Sequence, residues 1–424
     1  MRFLYIALTY LLVPVALVML LWRGLRDRSY WHNLDERFGF GPRELRASIW
    51  VHAVSMGEVQ ASVALVRSLR ARYAQHPLVL TTVTPTGAQR ARALFGDDVH
   101  VRYIPFDLPG CVRRFFDRIQ PRLAVILETE LWPNLYHECG YRRVPLVLAS
   151  ARISPRSVNR YRRLVRLFRE TLSHGIVIAA QSMTDAERFK SIGANPEHTH
   201  VTGNIKFDFE LPPGLEADGR RLRERYAARP VWIAGSTHER EEEIVLDAHV
   251  RVCKTVPNAL LVLVPRHHIR FEAVAALLRR RGIAFVTRSS AATVRANTSV
   301  LLVDSVGQLL TFYAAADVAF VGGSLVPVGG HNLLEPAALS LPILTGPHNF
   351  NSEGNARLFV EVGAARIVRD ATDLAEQVTL LLNEPAERER RGSAGRRALD
   401  ENRGALRRLL DLIEPLISEA RVYD

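Results

Sequence analysis

Apolar positions fall into distinct patterns along the 424-residue chain. The first is a continuous run. Phe3 to Trp22 carries no charge over twenty residues, enough to cross a bilayer core of about 30 Å as a helix. Pro14 is tolerable in such a helix, and Tyr5 and Trp22 lie near its ends, where aromatic rings suit an interface. Arg23, Arg26 and Arg28 follow, against Arg2 alone before it. The positive-inside rule then places everything after residue 28 in the cytoplasm, on a single-pass anchor in the cytoplasmic membrane. A cleaved leader needs a shorter apolar core and a small-residue cleavage site, and neither is visible. A buried soluble helix is the competing reading of the run, which its position ahead of three arginines disfavours. No second run of this kind follows.

The second pattern is alternation. Short apolar runs at Ile49–Val54, Leu78–Val83, Val101–Pro105, Leu123–Leu127, Pro145–Ala149 and Ile176–Ala180 read as buried strands. Val59, Val63, Val66, Leu69 and Tyr73 repeat at helical spacing between the first two. A break rich in turn formers, Glu210-Leu-Pro-Pro-Gly-Leu-Glu-Ala-Asp-Gly, interrupts the alternation. Strands then resume at Val231–Ala234, Leu260–Val264, Ile283–Val286, Val300–Val303, Val318–Val321 and Pro342–Leu344. This order predicts an α/β chain with two Rossmann-like parallel-sheet halves and a cleft between them. The expected divisions are 1–28 for the anchor, 29–210 and 225–395 for the halves, 211–224 for a linker and 396–424 for a helical tail.

Composition narrows the partners. Apolar residues at 48% and charged residues at 24% exclude a disordered chain. Three unevenly spaced cysteines, Cys111, Cys139 and Cys253, exclude a disulfide scaffold and suit a reducing compartment. The net charge is +12, yet only three of the 56 Lys and Arg residues are lysines: Lys190, Lys206 and Lys254. Zinc-ligand spacing, RNA-recognition signatures and aromatic-laced basic arms are all missing, so nucleic acid is not an expected partner. The charge suits anionic lipid or phosphorylated substrates instead.

Ligands of open α/β sheets bind beyond the carboxyl ends of strands. Three junctions there carry candidate chemistry. In Trp50-Val-His-Ala-Val-Ser-Met-Gly-Glu58, Ser55 and Glu58 fit a capping box, but Gly57 weakens a first turn and lets something approach the backbone. Glu58 then faces the cleft as a general base, kept ionised, and weakened, by the positive helix end. In Leu127-Glu-Thr-Glu-Leu-Trp-Pro-Asn134, a continuing strand would put Glu128 and Glu130 on one side. They suit either a salt bridge or a site for a hydroxyl-rich ligand. In Phe320-Val-Gly-Gly-Ser-Leu-Val-Pro-Val-Gly-Gly-His-Asn-Leu-Leu-Glu-Pro336, the pairs Gly322-Gly323 and Gly329-Gly330 precede His331 and Asn332, which open an expected helix. Exposed N–H groups at such a turn make an anion site. Asn332-x-x-Glu335 reads as a cap, or Glu335 as a holder of ribose hydroxyls. Lys is absent, so this is no P-loop, nor is it the dinucleotide G-x-G-x-x-G pattern.

Two smaller strand ends, Ala234-Gly-Ser-Thr-His-Glu239 and Val264-Pro-Arg-His-His268, point to the same cleft, the second with Arg266 as a fixed cation. His267 and His268 are as readily ordinary surface residues. In Gly203-Asn-Ile-Lys206-Phe-Asp208, Lys206 suggests a compact ammonium set against a phosphate or carboxylate.

Together Ser55-Met-Gly-Glu58, Glu128-Thr-Glu-Leu-Trp-Pro-Asn134, Gly203-Asn-Ile-Lys206, Gly235-Ser-Thr-His238, Val264-Pro-Arg-His267 and Gly329-Gly-His-Asn-Leu-Leu-Glu-Pro336 resemble the motif set of the bacterial 3-deoxy-D-manno-octulosonic acid (Kdo) transferases. The resemblance spans nearly the whole chain, including Glu36-Arg-Phe-Gly39. It implies a GT-B glycosyltransferase of lipopolysaccharide synthesis, with the first half binding acceptor and the second half nucleotide sugar. It implies CMP-Kdo as donor, a lipid A precursor at the inner face of the cytoplasmic membrane as acceptor, and inversion without cofactor or bound divalent metal. On the matching positions Glu58 is the base and Glu128 a second essential glutamate. Ser55, Gly57 and Glu130 are expected with the acceptor. Gly235, Ser236, Thr237, Arg266, Gly329, Gly330, His331, Asn332 and Glu335, with Lys206, are expected with the donor. The tether then suits a lipid acceptor, and Arg23, Arg26, Arg28, Arg160, Arg162, Arg163 and Arg166 could meet anionic headgroups. GT-B chains often end in a helix that returns to the first domain, and Leu406, Leu409, Leu410, Ile413 and Leu416 supply an apolar stripe for one.

Overall fold

The computed structural model describes residues 2–41, 45–162, 167, 175–290 and 292–419. Arg163 and Arg166, and the side chains of Arg26, Arg160 and Arg162, lie outside the described residues. The chain divides into two compact units, Met1–Phe209 with Asn402–Asp424, and Glu210–Glu401.

The first unit holds β1 (Ser48–His52), β2 (Leu78–Thr82), β3 (His100–Tyr103), β4 (Pro121–Leu127), β5 (Leu146–Ala151), β6 (Val177–Ala180) and β7 (Thr199–Val201). They form one parallel sheet in the order β3-β2-β1-β4-β5-β6-β7. The second unit holds β8 (Val231–Thr237), β9 (Leu260–Pro265), β10 (Phe285–Thr287), β11 (Val300–Leu302), β12 (Val318–Val321), β13 (Ile343–Thr345) and β14 (Ala365–Ile367). Their order is β10-β11-β9-β8-β12-β13-β14, again all parallel. Every residue of β1, β2, β5, β8 and β9 is buried, as expected for strands covered on both faces by helices. Each sheet carries a core on either face. In the first, Trp50, Phe115 and Phe116 pack edge to face on one side, and Ile49, Val51 and Leu123 join the other.

Strand order reverses between β1 and β4 in the first sheet and between β8 and β12 in the second. These are the switch points where helices leave to opposite faces and a crevice opens.

Two expectations about organisation change, and two strands appear that the sequence does not predict. The segment 211–224 is not a linker throughout. Leu215–Glu224 is a helix of the second unit, and a side chain at Gly219 would collide with Ala314. The charged tail also divides later than expected, because the helix Pro385–Glu401 stays with the second unit. The edge strands β7 and β14 escape sequence reading, since Thr199–Val201 is half polar and Arg366 and Ile367 are exposed.

The last helix, Ala405–Glu419, belongs to the first unit. Ala405, Leu409, Leu410, Ile413 and Ile417 are buried with the β1 and β4 core, while Leu406 and Leu416 are partly buried at its margin. Burying each Leu or Ile contributes about 1.5–3 kcal/mol. Asp208 caps this helix, accepting from the N–H groups of Gly404 and Leu406, each at 2.6 Å. Gly203, at φ +92°, lies against Ala405 and Arg408 where a side chain would crowd them. Much of the Gly203–Asp208 motif therefore docks the tail.

The amino-terminal helix spans Arg2–Arg26. Its stretch Arg2–Leu25 has a mean hydropathy of 2.5 and is long and apolar enough to cross a membrane. Near its start, the Tyr5 hydroxyl donates to Asp107 at 2.7 Å, and Arg2 meets the His137 ring at 2.7 Å.

Candidate active site

In the first unit the carboxylates gather at the switch point. β1 ends at His52, and a six-residue helix, Met56–Ala61, begins after Ser55. Ser55 occupies the N-cap position, but its side chain caps nothing. Glu58 instead reaches back past it, accepting from the Val54 N–H at 2.8 Å through Oε2. The capping box thus does not form. Gly57 is exposed, and a side chain added there would touch only the Ser55 hydroxyl, at 3.9 Å. Nothing in the chain's own packing demands glycine at 57.

β4 stops at Leu127, and Glu128 adopts φ +58°. That left-handed step is costly for a residue with a side chain. It ends the expected alternation of Glu128 and Glu130 along one strand face. Glu128 pairs with Lys206 Nζ at 2.5 Å, and Glu130 accepts from the Trp132 indole N–H at 2.7 Å. Both carboxylates still act on Glu58. Burial, then Glu128 and more weakly Glu130, push the Glu58 carboxyl up to about 7, against the Val54 N–H and the Lys206 charge. The expected bias of the helix end toward a low pKa is outweighed, because desolvation penalises the ionised form more. Burial raises Glu130 as well. Lys206, expected with the donor group, sits in this first unit as the partner of Glu128.

In the second unit the same topological position is built from imidazoles, an arginine and glycines. β8 ends in a bulge, with Ser236 at φ +58°. The Thr237 carbonyl accepts from the Arg266 N–H at 2.9 Å, which fixes the strand end carrying Arg266. The Thr237 side chain is fully buried, and its hydroxyl finds no partner among the described residues. Gly235 serves packing, since a side chain there would meet the Tyr313 hydroxyl at 2.4 Å.

The glycine turn differs from expectation. The N–H groups of Gly329 and Gly330 both donate to the Gly323 carbonyl, at 3.1 and 2.8 Å. Those of Gly323, Ser324 and Leu325 donate to Glu241, at 2.7, 3.0 and 2.9 Å. A buried carboxylate of the chain itself thus fills the nest that the sequence offered to a phosphate. Glu241 opens the helix Glu241–Thr255 inside an acidic run, Glu241-Glu242-Glu243, and that helix-start acidity was the available signal for it. His331 and Asn332 remain in the loop, because the following helix is only Leu334–Ala338. Their N–H groups donate to nothing among the described residues. Asn332 accepts from the Leu334 N–H at 3.1 Å and donates to Glu335 at 3.2 Å. Burial raises the Glu335 carboxyl, with the Asn332 amide and Arg266 opposing.

His238 is a site residue that sequence reasoning missed. Its Nε2 lies 2.8 Å from His331 Nε2, and the His267 ring stands edge-on to it at 5.3 Å. Burial, then the neighbouring cations, lower His238 to about 4 and His331 to about 3.

Two Rossmann-like units, each with polar side chains at the switch point of its own parallel sheet, make up a GT-B fold. HepE from Anabaena in complex with UDP shares the fold, at 16% identity and a TM-score of 0.58, over 88% of this chain and 100% of that one. So does a putative UDP-N-acetylglucosamine 2-epimerase from Listeria monocytogenes, at 15% identity and 0.58, over 89% of this chain and 98% of that one. The family described as 3-deoxy-D-manno-octulosonic-acid transferase (kdotransferase) matches residues 32–209. The 3-deoxy-D-manno-octulosonic acid transferase of Haemophilus influenzae is 42% identical over 421 residues, 98% of this chain and 99% of that protein. That of Bordetella pertussis is 36% identical over 96% of this chain and 98% of its own. The chain belongs to the Kdo transferase family.

Proposed function

We propose that this chain transfers Kdo from CMP-Kdo to the glucosamine disaccharide precursor of lipid A, with inversion, with Glu58 as general base and without a bound divalent metal. The observation that carries this reading is the Glu58 carboxyl, held near a pKa of 7 at the β1–β4 switch point. A base of that strength is substantially ionised at neutral pH yet still draws a proton from a hydroxyl as it attacks.

The acceptor hydroxyl oxygen bonds to the anomeric carbon of Kdo as the bond from that carbon to the phosphate oxygen breaks. The hydroxyl proton goes to Glu58, and the electron pair leaves with CMP. Direct displacement needs no covalent carboxylate. Glu128 orients acceptor hydroxyls and, with Lys206, sets the proton affinity of Glu58. Ser55, Gly57 and Glu130 border the acceptor, and open space at Gly57 supports close approach. On the donor side, Arg266 and the unpartnered N–H groups of His331 and Asn332 receive the phosphate, preorganised charge that the departing CMP requires. Asn332 and Glu335 hold ribose hydroxyls. Gly235, Ser236, Thr237, Gly329 and Gly330 shape this seat through their backbone.

The helix Arg2–Arg26 is the anchor, crossing the cytoplasmic membrane once with the body in the cytoplasm, and Arg23 and Arg28 support that orientation. Crossing requires Tyr5 to leave Asp107 and Arg2 to leave His137.

Purified full-length protein mixed with CMP-Kdo and tetraacylated lipid A precursor tests the reading by mass spectrometry. The expected product is the acceptor heavier by whole Kdo residues. Turnover of UDP-N-acetylglucosamine in place of CMP-Kdo overturns the donor, and CMP binding without any transfer overturns the enzyme.

A further inference from the structure

Two imidazoles meet head to head beside the glycine turn. The Nε2 atoms of His238 and His331 are 2.8 Å apart, the ring centroids 5.1 Å, and the ring planes within 7°. Rings with nitrogens that close and centroids that far apart share a plane and touch edge to edge. Such a contact is an N–H···N hydrogen bond, so one ring donates and the other accepts. The line between the rings therefore holds one proton and no more. The pair has two accessible states. The neutral state leaves one Nδ1 protonated and the other bare. The cationic state adds a proton to the bare Nδ1, so that both Nδ1–H groups point away from the shared bond as donors. Neither Nδ1 has a partner among the described residues.

The surroundings favour the neutral state when no anion is present. Arg266 and His267 repel charge on both rings, and Arg270 does so on His238. The nearby carboxylates are committed elsewhere. Glu239 and Glu242 pair with Arg270, Glu241 holds backbone N–H groups, and Glu335 holds Asn332. Gly323 packs its backbone against both rings. A side chain there would lie 2.9 Å from His331 and 3.4 Å from His238. The three imidazoles do not form a metal cage, for no group of three His, Cys, Asp or Glu among the described residues is placed to hold an ion.

Resting on the donor reading above, we propose that the His238–His331 pair is a proton trap for the leaving phosphate. It takes one proton from solvent when cytidylate settles beside Arg266, and an Nδ1–H group of the charged pair then donates to a phosphate oxygen of the departing CMP. The balance is simple. The Kdo–oxygen bond to phosphate breaks, the Kdo–acceptor bond forms, and the acceptor proton goes to Glu58. The proton of the imidazole pair stays until CMP departs and then returns to solvent. An opposite charge within about 4–6 Å shifts a pKa by about 1–3 units, which carries a ring that starts at about 4 to about 5–7. The same phosphate also offsets the repulsion from Arg266.

The test is calorimetric titration of full-length protein in detergent with CMP at pH 7, in several buffers of differing ionisation enthalpy. The dependence of apparent heat on buffer gives protons taken up per CMP bound. The wild type should take up a measurable fraction of a proton, up to about half of one. His238→Gln and His331→Gln should each lose most of that uptake and bind CMP roughly tenfold more weakly, about 1.4 kcal/mol. Cytidine, which has no phosphate, should bind without uptake. Equal uptake in the wild type and both variants would place the proton on CMP itself and overturn the trap, as would absence of uptake in the wild type. A wild type that does not bind CMP at all fails differently, because it overturns the donor reading first. Circular dichroism of both variants checks that the fold persists, and both rings are only partly buried.

Discussion

The two units share a sheet plan and differ in what they place at its turning point. Beyond β1 and β4 stand Glu58, Glu128 and Glu130; beyond β8, β9 and β12 stand His238, Arg266 and His331. Burial acts on both sets in the same physical sense, by disfavouring whichever form is charged. On Glu58 it raises the pKa to about 7, aided by Glu128, and produces a carboxyl that holds a proton more tightly than usual. On His238 and His331 it lowers the pKa to about 4 and about 3, and keeps both rings neutral at pH 7. Desolvation therefore strengthens the hold on a proton in one unit and weakens it in the other. The residue types, not the fold, decide which.

The largest expected break in this contrast is Glu58→Gln. The amide keeps an acceptor for the Val54 N–H but cannot take a proton. Transfer should fall by about 10²–10⁴-fold, while CMP binding to the second unit should change by less than about twofold, because no uniform binding contact is lost. In the wild type, activity should rise as pH passes upward through about 7, since only the ionised carboxylate accepts the proton. Single-turnover rates against pH check both statements, and an acid limb that survives in the variant would assign it to another group.

Next in size is Gly323→Ala in the second unit. The residue has φ +68°, and its new methyl would press on His331 Nε2 at 3.0 Å. Left-handed backbone with a side chain costs about 1–3 kcal/mol, and the imidazole pair must part. CMP affinity should drop about tenfold, with the Glu58 acid limb unmoved. Fluorescence titration with CMP and the pH profile read the two effects separately.

Most strands were legible because buried parallel strands are continuous apolar runs. The edge strands β7 and β14 were not, since an edge strand such as Thr199–Val201 needs no apolar surface on both faces. Glu58, Glu128 and Arg266 were legible as polar residues just past such runs. Their state was not, because the Glu58 pKa depends on Glu128 and Lys206, residues 70 and more positions away in the sequence. The Gly329-Gly330 pair misled for a related reason. Glycine in a turn announces positive φ, and both residues have it, but it does not say which acceptor the N–H groups find. Here that acceptor is Gly323, while the preceding N–H groups go to Glu241, and neither partner could be inferred from the turn alone.

A smaller effect separates the charges around Glu58. Glu128→Gln removes a negative neighbour that holds the Glu58 pKa up, so the acid limb should move to lower pH. Lys206→Met removes the positive neighbour that holds it down, so the limb should move to higher pH. Opposite displacements, measured as kcat against pH, would tie the limb to Glu58. Displacement of both in one direction would mean that losing the Glu128–Lys206 bond matters more than either charge.

The smallest expected effect is Thr237→Val, and it bears on how the second unit meets its ligand. The Thr237 hydroxyl is fully buried at the end of β8 and has no partner among the described residues. A buried hydroxyl without a partner costs about 1–3 kcal/mol, and valine has the same shape and suits a strand. Thermal stability should hold or rise, and CMP affinity should stay within about twofold, because the carbonyl that fixes Arg266 is untouched. If affinity instead fell tenfold, the hydroxyl would be reaching the nucleotide. The strand end would then have to open on binding, and the second switch point would be a moving seat where the first is a fixed one.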